Sequence, residues 1–210
     1  MIRVLLADDH TLFREGVRRL LEAESGMDVV AEAGRGPEVI DQAAQTEPDI
    51  VLLDVSMPGR GGLETLQDLK SRHPETKVLM LTVHPEDHFA IRCIKAGADG
   101  YMTKDAEPDE LVGAIRRVVG GKKYITPDLA EQLALTLGQD FEEQPHERLS
   151  DREFQVLRLI ASGKTVSEIG EELNLSVKTI STYRARILEK MNLRNNAEIM
   201  QYGIKRGLAE

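Results

Sequence analysis

Five short apolar runs alternate with amphipathic stretches over the first 120 residues, and few folds accommodate that alternation. Ile2–Ala7, Met27–Ala33, Ile50–Leu53, Val78–Thr82 and Gly100–Thr103 read as strands, being short and mostly aliphatic or β-branched. After each of them apolar residues recur at helical spacing. The five stripes are Leu12, Val17, Leu20 and Leu21; Val39, Ile40, Ala43 and Ala44; Leu63, Leu66 and Leu69; Phe89, Ile91, Ile94 and Ala96; and Leu111, Ala114, Ile115 and Val118. Pro37, Pro48, Pro58, Pro74, Pro85 and Pro108 fall at or near the boundaries, where proline ends or starts an element. Five strands alternating with five helices imply a parallel sheet covered on both faces. The expected fold of residues 1–121 is a doubly wound α/β domain.

Past Gly120-Gly121 the pattern changes. Thr126-Pro127-Asp128 starts a short helix expected to run to about Leu137, and the polar, acidic stretch 138–148 reads as a linker, so 122–145 are assigned to the connection. From 146 to 210 only helical patterns remain. Ser150 and Glu153 stand at the spacing of a capping box, ahead of an apolar face that ends at Gly163. Thr165–Leu173 and Val177–Met191 are two more helices, separated by the turn Asn174-Leu175-Ser176 with Ser176 as N-cap, and a fourth runs from Asn196 to about Lys205. Two short helices joined by a tight turn in a domain of this size form a helix-turn-helix.

Composition narrows the function classes. The single cysteine, Cys93, excludes a disulfide framework and fits a reducing cytosol. The start MIRVLLADDH meets charge at once, unlike a leader peptide, and no apolar run approaches the ~20 residues of a membrane span. A soluble cytoplasmic protein with no membrane partner is expected. The net charge of −9 is unevenly spread: residues 1–121 carry 14 Lys+Arg against 22 Asp+Glu, 122–145 carry 2 against 5, and 146–210 carry 11 against 9. Only the helical C-terminal part is net positive, a weak pointer to nucleic acid there.

In parallel α/β sheets, ligands sit beyond the carboxyl ends of the strands. Those ends carry Asp8 and Asp9 after the first strand, Asp54 after the third, Thr82 closing the fourth and Lys104 after the fifth. Each alone is an ordinary loop or surface residue, but three carboxylates, a hydroxyl and an amine at neighbouring strand ends point to chemistry. Clustered carboxylates repel one another unless a cation is present, and an all-oxygen site with few protein ligands suits Mg²⁺. Asp54 is then a candidate nucleophile toward a phosphoryl group, with the metal offsetting charge. The five histidines have no metal-ligand spacing and receive no metal role.

The segments Ile2–Asp9, Leu52–Gly59, Leu81-Thr82 and Tyr101–Lys104 resemble the signature segments of receiver domains, whose fold is the flavodoxin-like doubly wound (βα)5 arrangement. The resemblance implies that Asp54 is the phosphoacceptor and Asp9 a direct Mg²⁺ ligand. Asp8 supports the metal, and the backbone carbonyl of Ser56 supplies another ligand. Lys104 and Thr82 contact the phosphoryl oxygens, and Tyr101 is the aromatic that reports the change. His84, two residues after Thr82, falls where receivers tune phosphoryl lifetime. Asp105 stands where many receivers place a proline with a cis bond, which removes any argument from a cis peptide there.

In the C-terminal part Ile180, Tyr183, Ile187 and Met191 form an inward face, which leaves Lys178, Ser181, Thr182, Ala185 and Arg186 on the opposite side. Small, polar and basic residues on one face let a helix enter a major groove, with Lys178 and Arg186 reaching phosphates or guanine edges. Thr165 and Thr179, near helix N-termini, are candidate phosphate contacts. The run from Leu149 through Val156-Leu157, Ile169, Ser176–Ile180 and Ile187 to Met191 closely resembles the LuxR-type effector domain of the NarL/FixJ family of response regulators. That small all-α, four-helix domain implies double-stranded promoter DNA as a partner and a homodimer on activation. A seam for the dimer falls on Ala197, Met200, Gly203 and Ile204. The receiver implies a sensor histidine kinase as phosphodonor. An aspartyl-phosphate phosphohydrolase uses similar groups but needs a second acid where Ser56 stands, so the chain is not expected to be an enzyme. A receiver acting as a phosphate-independent dimerisation module is disfavoured by the complete residue set.

Overall fold

The computed structural model describes residues 1–57, 61–83, 87–127, 129–131, 133, 145–173 and 175–208. Contacts divide the chain into two compact units, Met1–Asp140 and Phe141–Glu210.

In the first unit, β1 (Ile2–Ala7), α1 (Thr11–Ala23), β2 (Met27–Ala33), α2 (Gly36–Thr46), β3 (Ile50–Asp54), α3 (Gly62–Arg72), β4 (Lys77–Thr82), α4 (Asp87–Lys95), β5 (Gly100–Thr103) and α5 (Pro108–Val119) follow one another. The sheet is parallel, in the order β2-β1-β3-β4-β5. Successive strand residues point to opposite faces and feed two cores. Leu5, Val51, Leu53, Val78 and Met80 pack with α2, α3 and α4; Val4, Leu6, Ile50, Leu52, Leu79 and Leu81 pack with α1 and α5. The central strand β3 is buried at every position because neither of its faces meets water, whereas β2, at the edge of the sheet, exposes Asp28 and Glu32.

Two expected stripe members point outward. Leu12 is 87% exposed. It lies five residues before Val17, about 140° off its face at 100° per residue, whereas Phe13, four before, leans inward. Ala44 is also exposed, leaving Val39, Ile40 and Ala43 to cover the sheet. Cys93 is fully buried in α4, as a small core residue.

β5 is last in strand order, yet its outer edge is covered in part. The Tyr101 N–H donates to the Tyr124 carbonyl (3.0 Å) and the Tyr124 N–H to the Asp99 carbonyl (3.0 Å), forming an isolated bridge to Gly100. Pairing of this kind satisfies edge groups that would otherwise invite another strand. Residues 127, 129–131 and 133 are helical, and Leu129 is buried in the core that holds Tyr101. Part of the expected connection thus packs on the first unit. The expected end of that helix near Leu137, residues 138–144 of the linker, Pro58, Pro85, His84 and Asn174 lie outside the described residues.

The second unit opens with a 3₁₀ turn at Pro145–Arg148, where an irregular linker was expected. His146 holds that turn, its Nδ1 lying 2.7 Å from the Tyr202 hydroxyl. Four helices follow: α6 (Asp151–Ala161), α7 (Val166–Glu172), α8 (Val177–Lys190) and α9 (Asn196–Lys205). Their N-caps are Ser150, Thr165, Ser176 and Asn195, and the first two close full capping boxes with Glu153 and Glu168. Leu157, Ile160, Ile169, Ile180, Ile187 and Ile199 form the core. Gly170 sets the approach of α7 to the turn: a Cβ there would stand 2.9 Å from the Leu175 carbonyl oxygen.

Candidate functional site

Parallel pairing brings the strand ends into one place. Ala7 pairs with Leu53, Asp54 with Leu81, and Thr82 with Thr103. The residues just beyond them therefore converge, and the Lys104 N–H donates to the Thr82 carbonyl at 2.6 Å. Asp8, Asp54 and Thr82 are all buried, at 3%, 1% and 3% exposure. The Lys104 ammonium lies 2.7 Å from Asp8 Oδ2 and 3.1 Å from Asp54 Oδ1, so one cation serves two buried carboxylates. The Ser56 N–H donates to Asp54 Oδ1 at 3.2 Å. Asp54 Oδ2 is buried with no hydrogen-bond partner among the described residues. Burial pushes the Asp54 carboxyl above the usual range and Asp8 adds to that, while Lys104 opposes it.

Such an oxygen is expensive to bury unless something else binds it. Asp9 brings a third carboxylate against the single lysine. Donor atoms of Asp8, Asp9, His10 and Asp54 all lie within 4.8 Å of one another. An orphaned buried carboxylate oxygen beside two further acids fits a divalent cation.

Three residues near this pocket were not singled out from sequence. His10 takes the N-cap position of α1, and its Nδ1 lies 3.0 Å from Asp9 Oδ1 and 3.2 Å from Asp8 Oδ1. The spacing between histidines carries no sign of it; its adjacency to Asp8 and Asp9 in the sequence does. Phe13 places its ring centroid 4.9 Å from Lys104 Nζ, a cation–π distance. Gly62 starts α3 against the end of β3, where a Cβ would stand 2.5 Å from the Asp54 carbonyl oxygen. The Gly61-Gly62 pair was the visible sign of that close approach.

Tyr101 is buried at 6% exposure. It lines a cavity of about 330 Å³ with Ala90, Glu110, Tyr124 and Leu129. The Tyr124 hydroxyl bonds the Glu110 carboxylate, and burial together with that carboxylate pushes its pKa up to about 12. No peptide bond among the described residues is cis.

In the second unit Lys178, Ser181, Thr182, Ala185 and Arg186 are all exposed on α8, opposite buried Ile180 and Ile187. Thr182 Oγ1 donates back to the Lys178 carbonyl at 3.0 Å. Arg184, on the flank, donates to Asn196 Oδ1 at 2.5 Å. Thr179 Oγ1 lies 2.8 Å from Ser176 Oγ, within the cap of α8. The Thr165 hydroxyl donates to the Glu168 carboxylate at 2.7 Å, so it is already engaged in its own capping box. On α9, Ala197, Met200 and Ile204 are exposed but Gly203 is not. Gly203 faces α6, where an added Cβ would stand 2.3 Å from the Ala161 Cβ. It is removed from the expected seam: one residue before Ile204 on a helix, it points about 100° away from it.

A flavodoxin-like α/β unit with an acidic pocket at its strand ends, followed by a helix-turn-helix unit, defines a class of two-domain regulators. Residues 4–116 match the response regulator receiver domain and residues 147–202 the bacterial regulatory proteins of the luxR family. Response regulator GacA of Pseudomonas viridiflava is 44% identical over 211 residues, spanning 100% of this chain and 99% of the relative. Response regulator UvrY of Escherichia coli (strain K12) is 43% identical over 209 residues, spanning 99% and 96%. RcsB from Salmonella enterica serovar Typhimurium, in a structure bound to promoter P1flhDC in the presence of phosphomimetic BeF3-, superposes with a TM-score of 0.59 at 26% identity, over 96% of this chain and 97% of that one. The chain belongs to the NarL/FixJ family of two-component response regulators, which are DNA-binding transcription regulators and not enzymes. No helix among the described residues is long and apolar enough to cross a membrane.

Proposed function

We propose that Asp54 accepts a phosphoryl group from a sensor histidine kinase in the cytoplasm, and that this favours a homodimer that binds promoter DNA. The observation that carries the reading is Asp54 Oδ2: buried, without a hydrogen-bond partner among the described residues, and flanked by Lys104 and two further carboxylates. An Asp54 oxygen forms the new O–P bond as the P–N bond to the kinase imidazole breaks, the nitrogen keeping the bonding pair. Mg²⁺, when bound, neutralises charge on the transferring group; Asp8, Asp9, Asp54 and the Ser56 carbonyl would hold it. Lys104, already beside Asp54 Oδ1, pairs with a phosphoryl oxygen, and the Thr82 hydroxyl donates to another.

In this reading residues 1–121 receive the signal, 122–145 connect and 146–210 bind DNA. The shared cavity of Tyr101 and Leu129 supports a route outward, because a turn of the tyrosine alters the surface on which the connecting segment packs. Lys178 and Arg186 take phosphates or guanine edges, Ser181, Thr182 and Ala185 meet base edges, and Thr165, at the N-cap of α7, and Thr179, in the first turn of α8, approach the backbone. Ala197, Met200 and Ile204 form the dimer seam. The likeness to a regulator seen on promoter DNA with a phosphomimetic supports the coupling.

The test is incubation with a small phosphodonor and Mg²⁺, read by intact mass. The parent should gain one phosphoryl mass and Asp54→Asn none. Uptake by Asp54→Asn would place the acceptor elsewhere. Analytical ultracentrifugation and operator binding on the same samples check the dimer. If mass and affinity both ignore phosphorylation, the coupling is wrong even with Asp54 modified.

A further inference from the structure

We propose that His10 is a nitrogen ligand of the cation pocket and sets which divalent metal it prefers; this rests on the reading that the pocket takes such a cation. The backbone fixes where the imidazole goes. As N-cap residue of α1, His10 has an extended conformation (φ −85°, ψ 96°), and its N–H donates to Asp8 Oδ1 at 2.8 Å. The Asp8 carbonyl is itself held by Arg14 at 2.6 Å. With both ends of the loop pinned, Nδ1 turns over the pocket, 3.0 Å from Asp9 Oδ1, 3.2 Å from Asp8 Oδ1 and 4.0 Å from Asp54 Oδ2.

Those separations suit a shared ion. With metal–ligand bonds near 2.1 Å, adjacent donors of an octahedron stand about 3.0 Å apart and opposite donors about 4.2 Å. The Asp54 oxygen in this set is the buried one that lacks a hydrogen-bond partner, a second sign that the four groups converge on a ligand. A plain imidazole–carboxylate hydrogen bond accounts for one short contact but not for convergence on three acids.

The donor atom carries a chemical consequence. Carboxylate and carbonyl oxygens suit Mg²⁺, whereas imidazole nitrogen favours borderline first-row metals, with affinity rising from Mn²⁺ to Co²⁺. A receiver pocket with this histidine should therefore prefer Mn²⁺ and Co²⁺ over Mg²⁺ by more than its oxygen ligands alone provide.

The experiment uses the full chain without phosphodonor. Mn²⁺-loaded parent is examined by pulsed EPR for ¹⁴N coupling, and Mg²⁺ and Co²⁺ affinities are measured by calorimetry for the parent, His10→Ala and His10→Asn. The inference expects imidazole ¹⁴N coupling in the parent and its loss in both variants. Co²⁺ affinity should fall at least about tenfold while Mg²⁺ affinity changes far less. Mn²⁺ bound without nitrogen coupling overturns it, whatever the variants do. An unchanged ratio of Co²⁺ to Mg²⁺ affinity in the variants also overturns it. Failure of the parent to bind any of the three metals would instead sink the cation reading of the pocket itself.

Discussion

The pocket at Asp54 and the outward face of α8 concentrate function in opposite ways. The pocket draws on residues from four separate strand ends, and Asp8, Asp54 and Thr82 are almost fully buried. The α8 face draws on five residues, Lys178, Ser181, Thr182, Ala185 and Arg186, within one short stretch of a single helix, and all five are exposed. Buried charges interact strongly because water cannot screen them, so one change there should be close to all-or-none. Exposed charges act through a salt-screened field, so one change there should be graded.

The largest effect expected is the loss of phosphoryl uptake in Asp54→Asn. Next comes Lys104→Ala, which removes the ammonium shared by Asp8 and Asp54 and should slow phosphorylation by roughly 10²-fold or more, as for other preorganised donors. Rates with a small phosphodonor check this; a loss under threefold would blur the contrast with α8.

Gly203→Ala tests whether the two units stand independently. The added Cβ meets Ala161 at 2.3 Å and should destabilise the helical unit by about 1–3 kcal/mol, seen by thermal unfolding. Phosphoryl uptake at Asp54 should be unchanged. A parallel fall in uptake would show that the two units are coupled.

Asp54 also links function to stability. Its folded-state pKa is raised, so the folded protein holds this proton more tightly than the unfolded chain. The contribution to stability is greatest below the unfolded carboxyl pKa and is lost as pH rises through the folded one. In metal-free protein at neutral pH, Asp54→Asn should therefore stabilise, by about 0.5–2 kcal/mol, the usual size of a single stabilising substitution. The gain should vanish in acid. Denaturant titrations at neutral and acid pH measure it, and a loss of stability at neutral pH would mean that pairing with Lys104 outweighs burial.

The smallest effect belongs to α8. Lys178→Ala and Arg186→Ala should each weaken operator binding and flatten its salt dependence by about one unit of slope per lost phosphate contact. Unchanged affinity and slope in both variants would turn this face away from DNA.

The sequence by itself determined the alternation of strands and helices, and with it the parallel sheet and the placing of Asp8, Asp9, Asp54, Thr82 and Lys104 at strand ends. It also determined the caps at Ser150 and Ser176 and the outward face of α8. These follow from periods of two and 3.6 residues and from local hydrogen bonding, which act over a few residues. The tertiary structure decided what depends on distant neighbours. It turned Phe13 inward beside Lys104 and left Leu12 in water. It paired Tyr124 with Asp99 and Tyr101 along the edge of β5, and buried Gly203 against Ala161. It also set His10 over three carboxylates, one of them from a strand more than forty positions away. Sequence spacing carries no information about such contacts, because they are fixed only when separate elements pack to a common density.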